Sequence, residues 1–442
     1  MTRYVIVGQG VAGVSAAEAI RSVDRSAEIF LVSNDPNGFY SRPGLAYYLT
    51  GELPENQLFI YSKDDWRQLN GKLVKAEAVR LLPKEHKLAL DHGTPLQYDR
   101  LLLATGTTAA RLTVPGADLI NVMYLDHLED TRAILKQARR THTAVVVGGG
   151  VLAIELVEGL AARKVQVHFL LRGERYWSNL LDEVESRLVE ERLEHEGVRI
   201  HPNTEIAEIL GRSGNVSGVR TTRGETIPCE MVTVAIGARP RIELAQAAGL
   251  EVERGILVNE TMQSSQPDVF AAGDIGQVYD PMTGKKSLDM LWNPAREQGK
   301  AAGLNMAGKS AVYHRAVAVN VLRLGGVMTT IIGAIGSGKN DAPQSFMRGS
   351  SETWQLLPNT IAVAKGGGVN QLRLVLAERT IAGALLMGEQ TLSLPLQELV
   401  SRQVDISSIR PQLLGADAPL GQVLLESWLK LSGLQKDYAN NH

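Results

Sequence analysis

The turn that opens the chain has the residue types and spacing to hold a phosphate group. It follows an apolar run with a GxGxxG spacing: Gly8, Gln9, Gly10, Val11, Ala12 and Gly13. The first glycine allows a tight bend, the second lets a diphosphate approach the backbone, and the third lets the next helix pack closely. Because free N–H groups at a helix N-terminus favour negative charge, we predict a dinucleotide site in preference to a purely structural turn.

A second turn of this kind lies further along the chain. It follows the apolar run 145–147 and reads Gly148, Gly149, Gly150, Val151, Leu152 and Ala153. Each turn is followed, roughly twenty residues on, by another apolar run, as a mononucleotide-binding unit requires. Two such turns predict two dinucleotides, and hydride transfer between them pairs a flavin with a nicotinamide donor.

Residues after the second strand of each unit are candidates for ribose contact. In the first unit Asn34 and Asp35 stand where an acid bonds ribose hydroxyls, although both also suit an ordinary turn. In the second unit Leu171 is apolar, and Arg172 and Arg175 follow it. Because arginine accommodates a 2′-phosphate, we expect NADPH in preference to NADH. The alternative is that both arginines are solvated loop charges.

The charge balance argues against nucleic acid or anionic lipid as a partner. Lys and Arg number 46 against 48 Asp and Glu, a net charge of -2, so no basic field covers the protein. Residues 1–7 run directly into a strand pattern, which predicts a cytoplasmic protein without a cleaved leader. The most apolar window, 317–335, contains Arg323 and several glycines, so we expect buried strands and no transmembrane segment.

Cys229 is the only cysteine in the sequence. A single thiol excludes an intramolecular disulfide, an all-cysteine zinc site and a cysteine-held iron–sulfur cluster within one chain. Since nothing nearby in the sequence would stabilise a thiolate, we expect Cys229 to be structural rather than reactive. We predict no metal site.

The order of the patterns indicates the fold class. A chain of 442 residues exceeds one ordinary core, so we expect two or three domains. Up to residue 315, strand-length runs alternate with helical patterns, which is typical of parallel sheets. Short strands follow over 317–381 and a helical tail over 395–431. The predicted fold is α/β, with two Rossmann-like dinucleotide-binding domains and a smaller α+β C-terminal domain.

Together these features resemble the two-dinucleotide-domain flavoprotein reductases, nearest to NAD(P)H-dependent rubredoxin and ferredoxin reductases and the flavin part of nitrite reductases. Residues 98–106 are similar to the family's crossing into the nucleotide domain, and residues 235–240 to the return crossing. The resemblance implies FAD and a glutathione-reductase-like arrangement. It also implies three domains: an FAD-binding domain of 1–112 and 238–315, an NAD(P)-binding domain of 113–237, and a C-terminal interface domain of 316–442.

Residues 269–274 resemble the family's last FAD motif. In that motif an aspartate, here Asp274 after Gly273, bonds the ribityl chain of the flavin. We expect a helix to begin there, since a carboxylate at a helix start accepts from a hydroxyl and orders the loop. Residues 291–299 resemble the helix that reaches the flavin ring. The resemblance extends the candidate cofactor contacts to Ala78, Ala104, Thr105, Gly106, Ile236, Gly237, Glu297 and Gln298.

The segment around Arg42 and Pro43 resembles one that passes near the flavin, with two departures. Pro43 stands where a related branch carries a redox cysteine, and Tyr47 where ferredoxin-type reductases carry a lysine. Arg42 is our candidate for steadying the FAD diphosphate or the reduced flavin, with a surface ion pair as the alternative. Glu155 resembles the glutamate near the nicotinamide; the alternative is a first-turn acid favoured by the helix dipole.

The resemblance implies an NAD(P)H oxidoreductase that passes electrons to rubredoxin, ferredoxin or an iron–sulfur subunit without using a cysteine. Two alternatives stay open: an oxidase or quinone reductase, and a flavin-bearing interaction subunit with a degenerate nicotinamide site. The apolar spacing over 423–431 predicts a helix that covers its own domain in preference to docking a partner. A homodimer is compatible with these features.

Overall fold

A parallel sheet forms the first layer of the computed structural model, which describes residues 1–281, 284–335, 344–345, 360–415 and 419–432. Its strands lie in the order Val269–Ala271, Arg100–Leu103, Arg3–Val7, Glu28–Ser33 and Lys72–Lys75. The helices of this layer are Val11–Val23, Lys63–Leu69 and Trp292–Met306. The central strand is almost wholly buried, as expected for a parallel sheet covered on both faces.

A second parallel sheet repeats this plan. Its strands lie in the order Arg199–His201, Gln166–Leu170, Thr143–Val147, Met231–Val234 and Val122–Tyr124. The accompanying helices are Leu128–Ala138, Val151–Ala162 and Glu183–His195. In both sheets the central strand leads through a glycine turn into a helix, so the repeat predicted from the sequence is confirmed.

The two chain crossings between the sheets run side by side. Thr107–Ala109 pairs antiparallel with Ala238–Pro240, immediately after the predicted outward crossing and within the return crossing. Smaller sheets contain Ala78–Leu82, Lys87–Leu90 and Leu96–Gln97; Ile206–Arg212, Asn215–Thr221 and Thr226–Pro228; and Ile256–Leu257, Gly276–Asp280 and Lys285–Leu288. Short helices are Gly44–Thr50, Glu55–Leu58, Pro83–Glu85 and Glu243–Ala247.

An antiparallel sheet forms the C-terminal part. Its strands lie in the order Val319–Leu324, Val327–Ile335, Ile381–Met387, Asn370–Leu376 and Ile361–Gly367, with Gln344–Ser345 beside Val327–Ile335. The helices Ser393–Ser401, Arg410–Leu413 and Leu420–Ser432 follow. The predicted fold class is therefore confirmed. The strands of each large sheet fall inside one predicted domain, but the domain boundaries stay a prediction.

Two expectations about apolar segments have clear outcomes. Window 317–335 forms strands as predicted, but only Val327–Ile335 is buried, while Val319–Leu324 is largely half-exposed. Among the described helices none has the length and apolar character that crossing a bilayer requires. In the last helix Leu424 is fully buried in the C-terminal core, and Trp428 packs on that core. That helix covers its own domain. The side chain of Leu431 and most of 336–359 lie outside the described residues.

Helix Trp292–Met306 crosses Val11–Val23 with backbone against backbone. A Cβ added at Gly299 would lie 2.1 Å from the carbonyl oxygen of Ala12, far inside van der Waals contact. Because glycine has no side chain, the two helices can approach this closely. This crossing fixes the helix that follows the first glycine turn.

Replacing Gly299 with alanine is expected to destabilise the protein by about 1–3 kcal/mol, since the helices must separate to admit the methyl group. Scanning calorimetry should show a lower melting temperature for Gly299→Ala. The control is Gly421→Ala, because the nearest atom to an added Cβ there is 3.5 Å away. Equal melting temperatures for Gly299→Ala and wild type would contradict the close crossing.

Candidate active site

The two glycine turns open into one cleft between the parallel sheets. The cleft has a volume of about 1740 Å³, larger than the roughly 300–1,000 Å³ typical of a pocket for one small ligand. Gly8 and Gly10 of the first turn and Gly148 and Gly150 of the second lie in its wall. Every predicted site residue lines the cleft except Gly13, Glu297 and Gln298.

The first turn, residues 8–13, has the geometry of a phosphate-binding turn. Gly8 has φ +116°, and a Cβ there would lie 2.1 Å from the carbonyl oxygen of Ala104. A Cβ at Gly13 would lie 2.1 Å from the Gly8 oxygen. At Gly10, by contrast, an added Cβ would meet no described atom within 4 Å. Gly8 and Gly13 therefore close the turn, while Gly10 faces the open cleft, as a diphosphate requires.

The second turn, residues 148–153, has nearly the same geometry. Gly148 has φ +147°, and a Cβ there would lie 2.3 Å from the Ala235 carbonyl oxygen. At Gly149 and Gly150 an added Cβ would meet no described atom within 4 Å. Ala153 is fully buried behind the turn, which explains a small residue at the third position. The residues present fit a second diphosphate.

The predicted ribose loop of the first unit is tied to its glycine turn. Gln9 Nε2 donates to the Asp35 carbonyl oxygen over 2.8 Å. The Asp35 carboxylate accepts from the Asn37 backbone N–H at 2.9 Å and from the Tyr40 hydroxyl at 3.2 Å, so it orders its own loop. Asn34 is exposed in the cleft wall and donates to Glu77. Both predicted ribose contacts lie at the cleft, as expected of ribose ligands.

The two arginines of the second unit differ in availability. The Arg175 side chain is only 9% exposed; it pairs with Glu174 and donates to the Leu181 carbonyl oxygen at 3.2 Å. Its guanidinium therefore stabilises its own loop. Arg172 is exposed in the cleft wall. Of the two, Arg172 therefore remains the candidate for contact with a 2′-phosphate.

The last FAD motif lies in a turn, not at a helix start. Gly273 has φ +79°, and after Asp274 the chain enters the strand Gly276–Asp280, so the expected helix was wrong. Thr107 Oγ1 donates to Asp274 Oδ2 at 3.3 Å. Gln298 Oε1 accepts from the Gly273 N–H at 2.8 Å. The carboxylate is thus positioned by a backbone turn that a side chain from the neighbouring helix holds.

Glu297 and Gln298 lie on a helix that was correctly expected, but not in the cleft wall. Glu297 is on its exposed face, and Gln298 is buried behind the Gly273 turn. Successive helical residues point about 100° apart, so adjacent positions cannot share one contact face. Gln298 acts on the site through Gly273, and Glu297 is not brought to it.

The two candidate catalytic residues both line the cleft. Glu155 lies in the second turn of helix Val151–Ala162, which excludes the first-turn alternative. One turn on, the Glu158 carboxylate accepts from the Gly326 N–H at 2.9 Å, and burial raises the pKa of Glu158 to about 7. This contact anchors the helix to the C-terminal part. Arg42 and Pro43 line the cleft, whereas Tyr47 lies outside its wall.

The sequence reasoning missed a polar cluster in the cleft wall. Asp126, His127 and Arg241 meet Arg42 there, with Arg241 Nη2 3.2 Å from Asp126 Oδ2. These residues belong to no glycine turn, and Arg42 and Arg241 are far from the adjacent pair Asp126 and His127 in the chain. A possible signal was the pair Asp126 and His127 directly before a helical pattern, the position where polar residues cap a helix.

Cys229 lies outside the cleft, in a separate hydrophobic core. It is a free thiol, 3% exposed, packed in the core beneath the second sheet and outside the cleft wall. Burial raises the pKa of Cys229 to about 12. At ordinary pH the side chain is therefore a protonated, inaccessible thiol, which agrees with the expected structural role.

Comparison with known proteins yields consistent matches. The family model described as pyridine nucleotide-disulphide oxidoreductase matches residues 2–299. NADH oxidase of Methanocaldococcus jannaschii is 30% identical over 333 residues, covering 73% of this chain and 74% of that protein. The ferredoxin–NAD(+) reductase component of the biphenyl dioxygenase system of Paraburkholderia xenovorans is 34% identical over 302 residues, covering 67% and 73%. A ferredoxin reductase from Rhodopseudomonas palustris shares the fold, with a TM-score of 0.83 and 22% identity over 96% of this chain and 100% of that one.

Native Cys229 is expected to react with a soluble disulfide reagent more than about 100-fold more slowly than the unfolded chain, because burial disfavours the thiolate and blocks access. The rate is measured by release of the coloured thiol at mildly alkaline pH, with a guanidinium-unfolded sample as control. Equal rates for the folded and unfolded protein would show an accessible thiol.

Proposed function

The chain belongs to the pyridine nucleotide-disulphide oxidoreductase family, and on that premise we propose that it oxidises NADPH and passes electrons to an electron-carrier protein. The family resemblance predicted from the sequence is thereby confirmed. The enzyme class, an FAD-dependent NAD(P)H oxidoreductase, is shared with the named relatives. The preference for NADPH and the identity of the acceptor are the proposed parts.

The single observation that carries the proposal is that both glycine turns face the same cleft. Gly10 and Gly150 each begin a helix at its wall. A diphosphate at either helix N-terminus directs the rest of its dinucleotide into the shared volume. Two redox rings can therefore meet there, which is the condition for direct hydride transfer.

The residues of the chain bind and orient the two nucleotides. Bound FAD supplies the hydride acceptor and the donor of single electrons. Asp274 would accept a hydrogen bond from a ribityl hydroxyl, and Arg42 would bring positive charge to a diphosphate or the reduced ring. Glu155, in the cleft wall, would contact the incoming nicotinamide. Arg172 would pair with the 2′-phosphate of NADPH.

We propose that no thiol takes part in the electron transfer. Pro43 lines the cleft where a related branch has a redox cysteine. The one cysteine, Cys229, is buried in another core with a raised pKa. The acceptor therefore meets the reduced cofactor directly, and a one-electron carrier such as rubredoxin, ferredoxin or an iron–sulfur subunit suits that transfer.

A second candidate is an oxidase that delivers electrons to oxygen. The similarity to an NADH oxidase favours it, and the similarity to a ferredoxin reductase component favours the carrier. Both functions begin with hydride transfer to the flavin. They differ in whether oxygen or a carrier protein then takes the electrons. Turnover with each acceptor separates them.

With NADPH as donor, turnover with a ferredoxin or rubredoxin is expected to exceed oxygen consumption by at least about 10-fold, because a thiol-free site still passes single electrons to a docked carrier. Cytochrome c reduction through the carrier gives one rate and an oxygen electrode the other. The Cys229→Ala variant is expected to keep both rates. Fast oxygen consumption without a carrier would favour the oxidase, and no flavin bleaching by NADPH or NADH would exclude both functions.

Replacing Arg172 with glutamine is expected to raise the Kd of NADPH about 10-fold and to leave that of NADH within about twofold, since a charge-assisted bond to the 2′-phosphate is lost. Anaerobic stopped-flow bleaching of the flavin gives both constants. Arg199→Gln is the matched control, because Arg199 is also an exposed arginine of this sheet but lies outside the cleft wall. Equal effects on both nucleotides would assign Arg172 no role in selectivity.

A further inference from the structure

One imidazole in the cleft wall is held between two guanidinium groups. Arg42 precedes helix Gly44–Thr50, His127 caps helix Leu128–Ala138, and Arg241 follows the return crossing. Arg42 Nη2 lies 3.1 Å from His127 Nδ1, and Arg241 Nη2 lies 3.1 Å from His127 Nε2. Segments far apart in the chain thus converge on one ring.

The imidazole of His127 cannot accept a hydrogen bond from both arginines. Guanidinium groups only donate hydrogen bonds, and a neutral imidazole has one acceptor nitrogen. Whichever tautomer forms, one arginine faces an N–H. Burial chiefly, and also Arg42 and Arg241, lower the pKa of His127 against the opposing effect of Asp126. The ring therefore stays neutral and accepts from one arginine only.

The two arginines of the cluster share a single carboxylate partner. Within the described part of the chain, Asp126 is the carboxylate that pairs with these arginines: it is 3.2 Å from Arg241 and 4.0 Å from Arg42. The nearby Asp130 accepts instead from the backbone N–H groups of Asp126 and His127. The two guanidinium groups therefore share one carboxylate, while the charge of Asp130 is directed at the backbone N–H groups of the helix start.

The unused donors of both arginines can reach the cleft. The Arg42 and Arg241 side chains remain 39% and 33% exposed, and both residues line the cleft. Arginine has five N–H donors in a planar fork, and an anion with several oxygens matches that geometry. Phosphate oxygens are therefore the chemistry these side chains fit.

The backbone of Arg241 places the cluster beside the first dinucleotide. Its N–H donates to the Gly106 carbonyl oxygen at 2.9 Å, and its carbonyl accepts from Thr105 Oγ1 at 2.9 Å. The next residue after Gly106, Thr107, donates to Asp274. Arg241 thus contacts the crossing segment whose next residue, Thr107, bonds Asp274, the candidate ribityl contact.

We propose that Arg42 and Arg241 together clamp the diphosphate group of a bound dinucleotide, with His127 as the spacer between them. FAD and NADPH both contain a diphosphate. The contacts of Arg241 with the Gly106 loop favour FAD as the molecule that the clamp holds. The inference rests on the proposed function and adds Arg241 and His127 to its binding residues.

The test is FAD binding to the apoprotein, measured by quenching of flavin fluorescence. Arg241→Gln is expected to raise the Kd of FAD about 10-fold to 100-fold, since a charge-assisted hydrogen bond is lost. Arg241→Lys should recover part of the affinity, because the charge returns without the fork. The matched control is Arg140→Gln, an exposed arginine beyond the other end of helix Leu128–Ala138. Circular dichroism confirms that each variant folds.

A second measurement separates the two nucleotides. Calorimetric titration of the FAD-loaded variants with NADP⁺ reports the other diphosphate. Weaker NADP⁺ binding with unchanged FAD binding in Arg241→Gln would support the clamp and assign it to the nicotinamide nucleotide. Unchanged affinity for both, matching Arg140→Gln, would overturn the clamp. Failure of the wild-type protein to take up FAD would instead refute the proposed function.

Discussion

The site depends on two places where a backbone carbonyl occupies the space that a Cβ would need. At Gly8 the neighbour is the Ala104 oxygen, and at Gly148 it is the Ala235 oxygen. In each case the neighbouring strand also bonds back, with Ala104 N–H to the Val7 oxygen and Ala235 N–H to the Val147 oxygen, both at 2.8 Å. These contacts turn the chain sharply at the carboxyl end of each central strand. The following helix N-terminus then points into the cleft, where an anion is stabilised.

The two glycine turns also determine where the other residues of the site lie. The strand ends beside the two turns lead into the crossings, and the crossings bring Thr107 to Asp274, and Arg241 to the imidazole of His127 that Arg42 also contacts. A cleft that is shared by two helix N-termini favours two dinucleotides over one. The buried Cys229 belongs to a different core, so electron flow without a thiol is consistent with the whole arrangement.

The outcomes at individual residues show where sequence reasoning succeeds and fails. The glycine turns were predicted because their spacing is local and the backbone imposes it. The helix after Asp274 was wrong because the motif's aspartate is held by a positive-φ glycine and by Gln298, a residue 25 positions from Gly273 that accepts its N–H. Glu297 lies on the exposed helix face, and Arg175 turns onto its own loop. A sequence motif identifies such residues, but it does not determine where their side chains point.

The sequence by itself determined the class of fold, the two phosphate turns and the absence of a second cysteine, since strand periodicity, glycine spacing and composition are properties of neighbouring residues. Only the tertiary structure decided that both turns face one cleft and that Arg42, His127 and Arg241 meet in its wall. The physical reason is that these contacts join the segment before helix Gly44–Thr50, the start of helix Leu128–Ala138 and the return crossing. Their mutual placement is set by sheet order and by close backbone packing, and no local pattern encodes either of them.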